Sequence, residues 1–225
     1  MSADATTARG REAAGAAAAR APRRAMQSPA AVVVFVLLTA ATLAGDLWSK
    51  HAAFDSLLSD PALQARAETY LDIAGPRATP EAVLHTYTRP VAPGVHFTLS
   101  LNPGVAFGWR IPRLLVGAAT VVTVAAACWF FATAPAGAWL LHVGLAMLLG
   151  GALGNFYDRL LAEVTVPPFE PIRHHVRDFI DCSGLYYPWV FNLADAWLVI
   201  GVALLVIHWW RAGRPQRNAG EADNA

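Results

Sequence analysis

Charge is what this chain has least of. Only 15% of its 225 residues are Asp, Glu, Lys or Arg, against about 25% in an average soluble domain. Lysine occurs once, at Lys50, beside sixteen arginines. A net charge of +1 gives no basic surface of the kind that binds nucleic acid. Two cysteines make no disulfide framework. Cys128 lies in an apolar run and Cys182 in a loop, and each reads as a small unpaired side chain. No HExxH is present, and the adjacent His174 and His175 project apart on a regular backbone, so no metal site is read. Ser49, Ser100 and Ser183 have no His and acid placed to form a triad.

What the chain has in excess is apolar length: 56% of its residues are hydrophobic, above the roughly 45–50% of soluble domains. Four runs, at about 30–47, 114–133, 138–161 and 189–210, approach the roughly 20 residues a helix needs to cross a bilayer. The first also resembles a signal peptide, but three further runs make it an uncleaved span. Residues 1–29 are Ala-rich, carry five Arg and read as a disordered cytoplasmic tail; 211–225 read as a second tail with three Arg. With four spans both tails share a side, and the positive-inside rule makes it the cytoplasm. Residues 51–113 and 162–188 are then external. Trp48, Trp109 and Trp189 fall near outer ends, and Trp129, Trp139, Trp209 and Trp210 near inner ends, as in an interfacial belt. The expected architecture is an all-α integral membrane bundle of four transmembrane helices, a single domain over 30–210. Residues 95–101 alternate apolar and polar and predict a half-buried strand. Residues 51–94 form an external insertion to which no chemistry is assigned.

The acids are placed unevenly. Asp46 ends the first span, Asp158 the third, and Asp195 begins the fourth, while Asp178 lies in the loop between the last two. All sit at the predicted outer surface, and the inner halves of the spans have none, so no ion path is laid out through the bilayer. Polar groups at the edge of membrane helices are costly and tend to be functional. Asp46 and Lys50 share a helix face, as a surface ion pair or as a pair that orders neighbouring polar groups or meets a lipid head group. Gly150 and Gly154 have the spacing that lets membrane helices approach closely. Asn155, Asp158 and Arg159 then face a neighbour together, with Asp158 and Arg159 most simply an ion pair. Asn192 and Asp195 share a face on the last span, where capping is the plain alternative. Asp178 sits in an amphiphilic stretch suited to lying along the interface. Together Asp178 and Asp195 suit a pair of carboxylates that share a proton and activate water. A small transporter and a non-catalytic scaffold are the rival classes. Both carboxylates being replaceable by Asn would favour the scaffold.

As a group the motifs resemble the bacterial lipoprotein signal peptidases, the signal peptidase II family. Five blocks match in order. Asp46-Leu-Trp-Ser-Lys50 resembles DxxSK, and Asn102-Pro-Gly104-Val-Ala106-Phe107 resembles NxGxAF. Gly150 to Arg159 resembles GGxxGNxxDR, Val176 to Ile180 resembles VxDFI, and Phe191-Asn192-Leu-Ala194-Asp195 resembles FNxAD. The resemblance implies an aspartic endopeptidase that cuts the signal peptide from prolipoproteins before the lipid-modified Cys, at the outer face of the inner membrane. It places Asp178 and Asp195 as the catalytic pair. Asp46, Lys50, Asn102, Gly104, Asn155, Asp158, Arg159, Asn192 and Ala194 become supporting or substrate-binding positions. It also implies a small external β-sheet, with an external loop or helix between spans 3 and 4. The partners it implies are a lipid-modified prolipoprotein and membrane lipid, with the protein a monomer and no cofactor or metal. Insertions at 51–94 and 160–175 and the N-terminal tail depart from the family pattern.

Overall fold

The computed structural model describes residues 23–104 and 112–213. Residues 1–22 and 214–225 of the two predicted tails, positions 105–107 of the second motif and Trp109 lie outside them. Among the described residues four helices are long and apolar enough to cross a membrane: α1 (Pro29–Leu58), α4 (Arg113–Thr133), α5 (Trp139–Leu161) and α6 (Leu193–Ala212). Between α1 and α4 come α2 (Pro61–Ala74), α3 (Pro80–Leu84), β1 (Thr88–Ala92) and β2 (Val95–Asn102). Between α5 and α6 come β3 (Glu163–Val164), β4 (Ile172–Arg173), β5 (Val176–Asp181) and β6 (Val190–Phe191).

Local chemistry starts these helices. Ser28, Asp60 and Thr79 cap α1, α2 and α3 with their side chains, and each is followed by a proline whose fixed φ suits the first helical turn. α1 runs 30 residues, eleven beyond the expected span, so that its last three turns stand clear of the apolar run. The insertion is therefore not a loose loop. Leu57, Leu63, Ala67, Val83, Leu84 and Tyr87 are buried with Leu99, Leu101 and Phe179 in one hydrophobic core that backs the sheet.

That sheet has the order β1-β2-β5-β6, all antiparallel. β5 pairs with β2 so that Ser100 faces Asp178 and Asn102 faces Val176. The stretch around Asp178 is thus a central strand of the sheet. The reason is its alternation: Val176 and Asp178 are buried on one face and Phe179 enters the core on the other. Among the described residues 162–192 hold no α-helix, only short strands and a 3-10 turn at Ser183–Leu185.

A second core lies at the opposite end of the bundle, where Ala25, Phe35, Phe131, Leu141 and Leu145 pack together. Residues 23–28 are anchored to it through Ala25 rather than part of a disordered tail. Ala25 N–H donates to Ala134 O and Ala136 N–H to Arg23 O, both at 2.8 Å. The chain before α1 and the α4–α5 turn therefore lie at the same end, as the four-span topology requires.

Helix α5 is the centre of the bundle, and its glycines set how closely the others approach. A Cβ on Gly150 would overlap the Thr42 side chain of α1, and one on Gly154 the Asp46 carboxylate. On the other side, a Cβ on Gly151 would lie 2.6 Å from the backbone oxygen of Ala194 in α6. Backbone does not yield as a flexible side chain does. Gly151→Ala is therefore expected to push α6 away and to cost roughly 1–3 kcal/mol, the usual cost of overpacking. Thermal unfolding in detergent checks this. An unchanged midpoint would mean that α6 moves freely.

Candidate active site

The predicted polar residues meet at the end of the bundle that carries the sheet. Lys50 is the hub. Its side chain is fully buried, and an ammonium has three donors and no acceptor. All three are used: Asp46 Oδ2 at 2.8 Å, Asn155 Oδ1 at 2.9 Å and Asp158 Oδ2 at 3.1 Å. The Asp46–Lys50 pair is thus an interior ion pair, not a surface one. Asp46 reaches across to α6, where its Oδ1 accepts the Ala194 N–H at 2.8 Å. Ala194 is itself fully buried, between that carboxylate and Gly151.

Asp158 does not pair with Arg159, its neighbour in sequence. Its partner besides Lys50 is Arg177, which donates from the backbone at 3.0 Å and from Nε and Nη2 at 3.1 and 2.7 Å. The clamp ties the end of α5 to β5, directly beside Asp178. Arg177 is one of the polar residues of this stretch, but the sequence assigns it no partner. Only the pairing of β5 with the helix end reveals its role. Arg159 turns the other way, holding Asn155 O at 3.1 Å and Gly104 O at 2.8 Å. Gly104 N–H in turn donates to Asn102 Oδ1 at 3.0 Å, so the turn after β2 is fastened to α5.

Asn192 follows β6 and caps α6. Its Oδ1 accepts the Asp195 N–H at 3.1 Å, and Asp195 Oδ2 accepts the Asn192 N–H at 3.2 Å. The capping box is real, yet it leaves both side chains free to do more. Asn192 Nδ2 donates to Asp178 Oδ1 at 2.6 Å and to Asn155 Oδ1 at 3.2 Å. Asn155 Nδ2 donates to Asp195 Oδ1 at 2.9 Å. Asp178, from the sheet, and Asp195, from a helix, are thereby held through two shared amides.

Both carboxylates line one cavity of about 810 Å³. Its polar end is Asn102, Asn155, Arg159, Asp178 and Asp195. From there it continues between α4 and α6 along Val116, Ala119, Thr120, Leu198 and Val199, with Tyr187, Trp189 and Phe191 at the sheet side. Of these lining residues only Phe191 belongs to a motif, the FNxAD block; the rest lie outside the five motifs.

Electrostatics separates the acids. Burial, and next the charge of Asp195, push the Asp178 carboxyl up from 3.8 to about 7. In the cluster as a whole, Asp46, Asp158, Asp178 and Asp195 face Lys50, Arg159 and Arg177. One proton on the carboxylates makes the cluster neutral, which is what a dry site favours. His174 and His175 turn to separate backbone oxygens, Arg159 O at 2.9 Å and Arg173 O at 2.7 Å, and share no site.

Residues 38–211 match the family model described as signal peptidase (SPase) II. The lipoprotein signal peptidase of Caulobacter vibrioides is 38% identical over 125 residues, 52% of this chain and 66% of that one. That of Alteromonas mediterranea is 29% identical over 198 residues, covering 84% of this chain and 87% of its own. In three dimensions the chain is similar to a bacterial membrane enzyme solved by the in meso method at 2.3 Å. The TM-score is 0.59 at 24% identity, over 83% of this chain and 93% of that one, which shows a shared fold.

Proposed function

The chain belongs to the signal peptidase II family, and from that premise we propose that it is an aspartic endopeptidase of the bacterial inner membrane. It removes the signal peptide from diacylglyceryl-modified prolipoproteins, cutting before the lipidated Cys. The observation that carries this reading is the single cavity in which Asp178 and Asp195 stand at the polar end of an otherwise apolar wall. The wall between α4 and α6 suits acyl chains and an apolar signal helix, while the polar end suits the peptide bond.

The chemistry follows from two carboxylates that share one proton. Asp178 is the one that holds it, because burial opposes its ionisation. Asp195 takes a proton from water, and the oxygen of that water adds to the peptide carbonyl. Asp178 gives its proton to the carbonyl oxygen as the tetrahedral intermediate forms. Collapse of the intermediate returns a proton to the leaving nitrogen and restores the pair. The arginines of the two tails put both termini in the cytoplasm, so the polar end opens at the outer face.

The test is a mobility-shift cleavage assay in detergent, with a diacylglyceryl-modified prolipoprotein and its unlipidated precursor as substrates. Cleavage of the lipidated form alone is expected. If neither form is cut by folded protein, the endopeptidase reading fails. The pH dependence follows from Asp178. It must be protonated to act as acid, so kcat/KM is expected to fall as pH rises through about 7, tenfold per unit beyond it. A profile flat from pH 6 to roughly 9 would remove Asp178 from that role.

A further inference from the structure

The hydrogen bonds around the aspartate pair have a direction, and Asn192 sets it. An amide is ambiguous until its partners decide which end is oxygen. Here the Asp195 backbone N–H, which only donates, fixes the Asn192 oxygen, and the NH₂ group must point to Asp178 Oδ1 at 2.6 Å. Asn155 is fixed in the same way, because Lys50 Nζ only donates and claims its oxygen. An oxygen that faces an N–H at this distance accepts and does not carry a hydrogen.

We propose that Asn192 is a positioning residue of the aspartate pair, which by donating to Oδ1 of Asp178 reserves Oδ2 of that carboxyl for the proton given to the substrate. This rests on Asp178 and Asp195 being the catalytic pair. The groups acting on Asp178 are Asp195 and Asn192 from the start of α6, Lys50 from α1, Arg159 from α5 and Asn102 from β2. Asn192 is the member of this set whose amide is at once locked by Asp195 and bonded to Asp178. The fully buried Asn192 side chain thus does two separable things: it caps α6 and it directs the proton.

Serine separates them. It is as good a cap as asparagine, since its hydroxyl also accepts the Asp195 N–H, but it has no amide to offer Asp178. In N192S the Asp178 carboxylate loses a donor that favours its charged form, so its proton is held more tightly. The alkaline limb of the kcat/KM profile is expected to move up by about one pH unit. kcat is expected to fall about tenfold through proton misplacement, with KM within roughly twofold of wild type. A role confined to packing would lower the amount of active enzyme and leave the inflection where it was. An unmoved alkaline limb in folded N192S therefore overturns the proposal.

Should N192S fail to fold, the wild type still decides. The side-chain amide ¹⁵N resonance of Asn192, assigned by selective labelling, is expected to titrate with the same inflection as the alkaline limb. A resonance that does not move across that limb overturns the proposal as well. Failure of the underlying reading would look different, as cleavage by a variant that lacks one of the two carboxyls.

Discussion

D178N and D195N are each expected to abolish cleavage of the lipidated substrate, with kcat down by at least about 10⁴. An amide neither takes a proton from water nor gives one up at neutral pH, and its volume is that of the acid it replaces. The two variants differ in stability. At 195 both oxygens already accept, one from Asn155 Nδ2 and one from the Asn192 N–H. Whichever way the new amide turns, its NH₂ faces a donor, and a cost of about 1–3 kcal/mol is expected. At 178 the sign reverses. The folded carboxyl has its pKa raised above the unfolded value, to about 7. Its contribution to stability is thus fully present below about pH 4 and is lost as pH rises towards 7. D178N removes that loss, so its unfolding midpoint is expected to gain on wild type as pH rises from about 4 to 8. Processing assays and thermal unfolding in detergent read the two effects separately. Wild-type turnover by either variant would take that residue out of the chemistry.

The second large effect is expected at Lys50, which is fully buried and does not line the cavity. K50M keeps the length of the side chain and deletes its charge. Asp46 and Asp158 then face each other with no cation between them, although Arg177 still holds Asp158. Breaking a buried ion pair on one side costs about 3–5 kcal/mol, because the remaining charge stays buried. Asn155 also loses one of the two donors that fix its oxygen, so its grip on Asp195 weakens. Loss of folded protein, or of all activity in what does fold, is expected. Adding D46N to K50M removes the orphaned charge and is expected to recover a good part of the midpoint, though less of the activity. If K50M alone unfolds at the wild-type temperature, the buried cluster is not what holds α1 to α5.

How much of this was readable beforehand differs from residue to residue. Asp46 and Lys50 lie on one helix face by spacing alone, but a helix face has no inside until a second helix covers it. The surface pair and the interior pair are the same sequence. Only the close approach of α5, through Gly150 and Gly154, decides between them. Asp158 beside Arg159 looked like an ion pair because neighbours in sequence were the only partners in view. The bond from Arg177 to Asp158 joins residues nineteen apart, on a strand and a helix end, and has no local mark. Residues 162–188 have several prolines and little periodicity, so the strand through Asp178 was hidden until β2 supplied its partner.

The sequence by itself determined the four spans, the clustering of every acid in or beside them at one end of the bundle, and the five motifs that mark the family. Hydropathy, residue spacing and composition are properties of one chain segment at a time, and segments are what a sequence displays. The tertiary structure decided which carboxylates meet, which are neutralised and which is left to hold a proton. It joined a strand residue to a helix residue through two amides and set an apolar wall beside them. Such facts depend on distances between segments far apart in the chain. Burial, which raises the proton affinity of Asp178 and spends the three donors of Lys50, exists only once those segments are packed.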